Sequence, residues 1–228
     1  MGYDMYIKNY EYTEAEQLAK KAADEQWDAA LAVREKRTKQ LAIDGITDWK
    51  VIHADTEWKA AQAEVVAASE AMSMTQLDYY RLNIWGMGRC REYMNERGML
   101  VDNYSRDAMP AWPDYSEPDQ REGESNEDWY KRIDEYDNEY SERCRPTRSW
   151  SPFPEAEYEG IPAHKFSSND SWLVTEHECR TAAKLGREAP FPTYIDKEDG
   201  NKEKPVVWWE SWLKFLESAS TRGGFEVH

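Results

Sequence analysis

The chain has 228 residues and a formal charge of −16, from 45 Asp and Glu against 29 Lys and Arg. More than half of that excess lies in 102–160, where 17 acids face 7 bases, a field that repels phosphate backbones and anionic headgroups and so argues against direct nucleic-acid or membrane binding. Disorder is opposed by 11 Trp, 14 Tyr and 5 Phe, since unfolded segments are poor in aromatics, and no apolar run approaches the ~18 residues of a membrane span.

Residues Met1 to Lys8 read as a short strand with Tyr3, Met5 and Ile7 on one side. Thr13 then opens a helix with Glu16 completing a capping box, and Asp44-Gly45 stops it after Ile43. Trp27, Leu31, Arg34, Thr38 and Leu41 form its stripe. A second helix is expected from Asp48 to the Met72 region, with Val51, Ala54, Trp58, Ala61, Val65, Ala68 and Met72 at alternating spacings of three and four. The two helices are expected to fold back as an antiparallel hairpin, 13–73, appended to a body made of 1–12 and 74–228.

Tyr79 to Trp85 reads as extended, with Gly86 and Gly88 expected in a tight turn or in close backbone packing beneath Trp85. A helix follows through Arg91, Met94 and Arg97 to a Gly98 cap. In the acidic middle, 102–160, expected to be partly loose, Pro110, Pro113 and Pro118 precede a helix over 126–143, capped by Ser125 and Asp128. Its stripe is Trp129, Ile133, Tyr136 and Tyr140. Prolines 146, 152, 154 and 162 then predict an extended connection.

Ser171 to Val174 reads as a strand, and Thr175 with Glu178 repeats the capping box for a helix to about Leu185. Residues 187–204 read as a polar loop, and Pro205 as the first turn of a helix carrying Val206, Trp208, Trp209, Trp212, Leu213, Phe215 and Leu216. Gly223-Gly224 ends it before a closing strand, 225–228. The expected fold is α+β and helix-dominant, a small sheet using both termini with a long antiparallel helical hairpin.

Chemical motifs are sparse. Cys90, Cys144 and Cys179 are scattered and odd in number, as in a cytoplasmic protein with reduced thiols. His177 and Cys179 lie about 200° apart on a helix, so no metal site is expected, and no cofactor signature is present. The densest polar cluster is His164, Lys165, Ser167, Ser168, Asn169 and Asp170. It suits either a small-ligand or catalytic loop, joined by Arg81 or Arg89, or a side-chain-capped turn in which His164 bonds the backbone. The acidic middle suits recognition of a basic protein, with Trp112, Trp129 and Tyr136 filling apolar pockets. The residues expected at that contact are Trp112, Asp114, Tyr115, Glu117, Asp128, Trp129, Glu135, Tyr136 and Glu139.

Three blocks carry a resemblance: Gly2-Tyr3-Asp4-Met5-Tyr6, the run Tyr80 to Arg89 (YRLNIWGMGR), and Ile161 to Thr175 (IPAHKFSSNDSWLVT), with the ending WWESWLKFLESASTRGGFEVH alongside. Together they resemble a group of uncharacterised proteins of actinobacteria and their phages. The resemblance implies an origin, and a host cytoplasm if phage-encoded; it supplies no catalytic residues. Where that pattern has Gly, this chain has Ser171. Three functions follow as expectations: a non-enzymatic protein that occludes a basic partner, as an anti-defence or immunity protein does; an enzyme or ligand binder using 164–170; or a particle component that forms homo-oligomers through 13–73.

Overall fold

The computed structural model describes residues 2–197 and 199–228. Met1, in the expected first strand, and Glu198, in the expected loop, lie outside the described residues. The fold is α+β with helix dominant. Strands β1 (Gly2–Tyr6), β2 (Tyr79–Asn83), β5 (Trp172–Val174) and β8 (Phe225–Val227) form one antiparallel sheet in the order β2-β1-β8-β5. The two terminal strands are therefore its centre, with Met5 opposite Tyr80 on one side and Val227 on the other. Period-two alternation gives the sheet a buried face carrying Met5, Tyr80, Leu82, Trp172, Val174, Phe225 and Val227, and a polar face.

Helices α6 (Glu176–Glu188) and α7 (Trp209–Ala219) supply the rest of the core. Trp209 and Trp212 are fully buried, and Gly186 lets α6 approach α7 so closely that a Cβ there would stand 2.5 Å from Leu213 Cδ2. Both expected capping boxes form, at Thr13–Glu16 and Thr175–Glu178.

The hairpin pairs α1 (Glu14–Ile43) with α3 (Thr56–Thr75), and the expected second helix is broken. A short α2 (Trp49–Ala54) precedes Asp55, which is extended, caps α3 through the Trp58 amide and pairs with Arg37 at 2.6 Å. The stripe holds beyond the break in Trp58, Ala61, Val65 and Ala68, whereas before it Ile52 is buried and Val51 is exposed. Glu16 ties the hairpin to the body through Arg222 at 3.0 Å.

Four local expectations are corrected. Gly86 and Gly88 lie inside α4 (Ile84–Glu96), which starts at an Asn83 cap, and Trp85 is 84% exposed; of the two glycines Gly86 packs closely, a Cβ there standing 3.2 Å from Asn83 Oδ1. Helix α5 (Asn126–Arg148) runs past residue 143 through Pro146, which falls in its last turn and so removes only one late hydrogen bond. The polar loop 187–204 contains an antiparallel pair, β6 (Thr193–Asp196) and β7 (Lys202–Pro205), stapled by Lys204–Asp196 at 2.8 Å. Pro205 ends β7, and α7 begins at Trp209 instead. A two-residue parallel ladder of β3 (Leu100–Val101) and β4 (Ile161–Pro162) completes the fold.

Candidate interaction surface

Prolines 110, 113 and 118 deny residues 104–125 a helix or a ladder, and the segment instead lies as an extended strap antiparallel to α5. The inner stripe of α5, lengthened to Cys144 and Thr147, fastens it at successive points. Thr147 Oγ1 donates to the Ala111 carbonyl at 3.3 Å, Tyr140 Oη to Pro113 at 3.2 Å, and Trp129 Nε1 to Pro118 at 2.9 Å. Tyr136 Oη accepts from the Ser116 amide at 3.1 Å. Arg132 reaches the Asp119 carbonyl at 2.7 Å and holds Glu124 through two bonds of 3.0 and 2.8 Å. That guanidinium, with the Arg121 amide, pulls the Glu124 carboxyl down to about 2.

The aromatics expected to fill a partner's pockets are thus largely engaged within the chain. Trp112 packs on the core with its ring 5.3 Å from Trp172. Tyr115 stacks edge-on against Tyr136 and Tyr140 and bonds Asp137 at 3.0 Å. What faces solvent is carboxylate: of the 17 acids in 102–160, only Glu124 is not exposed. Asp114 and Glu117 project from the strap. At 100° per residue, Asp128, Glu135, Glu139 and Glu142 share one side of α5 away from the strap, a row spanning about 21 Å.

The 164–170 cluster is divided. His164 and Lys165, in a single 3-10 turn (Ala163–Phe166), point inward and are fully buried. Lys165 Nζ donates to both Glu178 oxygens at 2.7 and 2.8 Å, while Tyr158 Oη, Ser151 Oγ and the Thr175 amide also donate to that carboxylate. Burial pushes the Lys165 ammonium below its ordinary range, opposed by Glu178. His164 Nδ1 lies 2.6 Å from Tyr104 Oη, whose oxygen accepts the His164 amide at 3.1 Å. Burial, with the charges of Lys165 and Arg106, lowers the imidazole to about 3.

Ser168, Asn169 and Asp170 form a capped surface turn. Ser168 bonds Asp170 and accepts Trp172 Nε1 at 3.0 Å, and Asn169 donates to the Gly2 carbonyl at 2.7 Å. Arg81, 3.5 Å from Asp4, is on β2, at the opposite edge of the sheet from β5, and Arg89 is exposed on α4. The residues considered for a ligand site therefore do not converge. Tyr104, Ser151 and Tyr158, which complete the buried network, carry no local signal; only the Thr175–Glu178 capping box marks one of its members. Ser171 sits in left-handed backbone, φ +58°, a conformation that favours glycine.

All three cysteines are buried and unbridged, and among the described residues no three His, Cys, Asp or Glu side chains assemble as a metal-binding group. Among the described residues no helix is long and apolar enough to cross a membrane. No protein-family model, curated protein or solved structure matches the chain.

Proposed function

We propose that the protein is a non-enzymatic interaction protein that occludes a basic protein surface with the carboxylates of α5 and its strap. The observation that carries this reading is the division of labour in 102–160: Trp129, Tyr136 and Tyr140 turn inward and fasten the strap, and 16 of 17 carboxylates are left exposed. A charged surface that is already ordered loses little entropy on docking and speeds encounter with a cationic partner. In this reading the aromatics act by rigidifying the carboxylate array, with Tyr130, exposed on α5, as an available apolar contact. The buried position of His164 and Lys165 weighs against the ligand-binding alternative, because neither side chain is reachable from solvent.

The resemblance to proteins of actinobacteria and their phages fits an anti-defence or immunity role in the cytoplasm. The test is affinity capture from actinobacterial extract, washed at low and then high salt, with the wild-type chain beside a variant carrying Asp128→Asn, Glu135→Gln, Glu139→Gln and Glu142→Gln. A basic protein held by the wild type at low salt, released at high salt and not held by the variant supports the reading. Equal retention by both chains refutes it.

A further inference from the structure

A cleft of about 330 Å³ lies between the last turns of α5 and the polar face of the sheet at its β8–β5 edge. It differs in charge from the rest of this acidic chain: three cations, Lys8, Arg145 and Arg148, line it with two carboxylates, Glu142 and Glu226. Both carboxylates are already committed. Glu226 binds Lys8 at 2.9 Å, and Glu142 binds Arg145 at 3.5 Å.

Arg148 is the remainder. Its side chain is half-buried, its Nη1 donates to Ser141 Oγ at 2.9 Å, its Nε is buried without a hydrogen bond, and among the described residues it makes no ion pair. A half-buried guanidinium that faces a cleft without a carboxylate is costly until it is neutralised, and here its Nε also lacks a hydrogen bond. The α5 C terminus supplies roughly half an elementary charge, which offsets part of the guanidinium and leaves the cleft positive. A neutral donor adjoins it: ladder alternation in the β5–β8 pair points the Leu173 amide away from β8, toward the open edge that lines the cleft.

We infer that this cleft binds a small oxyanion, a carboxylate or phosphate group, on the Arg148 guanidinium, with Ser141 holding the guanidinium in place. The planar fork of arginine suits two-point binding of either group. The cleft shares Glu142 with the outward acidic row of α5, but Arg148→Met leaves all four carboxylates of that row in place, so the failure of one reading is distinguishable from the failure of the other.

The test is titration of the ¹⁵N-labelled full chain with inorganic phosphate and, separately, malonate, at ionic strength held constant with sodium chloride. Amides of 141–148, 171–173 and 223–226 report binding. Saturable shifts with either anion that weaken about tenfold or more in Arg148→Met support the site, and the anion with the lower Kd distinguishes phosphate from carboxylate. Shifts that never saturate, or the same Kd in the variant, overturn it. If Arg148→Met does not fold, Arg148→Gln, which drops the charge and keeps hydrogen-bonding capacity, is read by the same criterion.

Discussion

Replacing Lys165 by Met tests whether the 164–170 cluster is architecture or a site. The side chain is 0% exposed, and both of its short bonds go to Glu178, which is equally buried. Methionine fills much of the same volume but strands the carboxylate with Tyr158, Ser151 and the Thr175 amide as its remaining donors. Breaking one side of a buried pair costs about 3–5 kcal/mol, a large share of the roughly 5–15 kcal/mol that holds a domain together. For a chain of this size that corresponds to a fall in Tm of about 6–20 °C. The double variant Lys165→Met, Glu178→Gln leaves no buried charge and is expected to be more stable than Lys165→Met alone by about 2 kcal/mol. Urea unfolding of the wild type, both single variants and the double variant gives the coupling directly. A loss below about 1 kcal/mol in Lys165→Met, or a double variant whose loss is the sum of the singles, refutes the reasoning and returns Lys165 to candidacy as a ligand-binding cation.

Four further outcomes follow from named contacts. The His164 imidazole falls from 6.5 unfolded to about 3 folded, so its contribution is complete above pH 6.5 and is lost as pH drops toward 3; by pH 4 the loss is about 3 kcal/mol. Unfolding of His164→Gln between pH 7 and 4 should show a shallower slope than wild type by that amount. A Cβ at Gly224, φ +80°, would lie 1.9 Å from the Val174 carbonyl oxygen, whereas one at Gly88, inside α4, meets nothing within 4 Å. Thermal melts should therefore show Gly224→Ala destabilised by about 3 kcal/mol or more and Gly88→Ala stabilised by about 0.5–1 kcal/mol. Trp129→Phe removes the bond to Pro118, costs about 1 kcal/mol and should speed amide exchange at residues 116–122. Ser171→Gly relieves the left-handed backbone and should gain about 0.5–1 kcal/mol, read as a raised urea midpoint.

The parts of the fold legible in the chain were those governed by short-range rules. Thr13–Glu16 and Thr175–Glu178 each satisfy backbone groups within one turn, so their helix starts could be placed from four residues. The apolar spacing of α7 and the alternation of the terminal strands likewise announce buried faces. Charge concealed the β6–β7 pair, because Lys202, Glu203 and Lys204 resemble a solvated loop until Asp196 lies across from them. Proline misled in α5, where residue 146 is tolerated because it sits in the final turn.

Of the candidate surface, the sequence disclosed the composition, acids interleaved with aromatics, and the cap and stripe of α5. Tertiary structure alone decided which of the two types faces outward, since the strap's carbonyls meet Trp129, Tyr140 and Thr147 only when two segments of opposite direction are laid together. The same holds for Asp55, which breaks the hairpin's second arm where Arg37, 18 residues earlier, can reach it. It holds also for Lys165, whose charge is internal because Glu178 faces it, and for Arg148, whose lack of an ion pair is visible only once Glu142 and Glu226, the two carboxylates of its cleft, are seen to bind Arg145 and Lys8. Local spacing encodes bonds made within a turn or across one pleat. Burial, charge pairing and the shape of a cleft depend on which distant segments meet, and they emerge only when the chain has closed on itself.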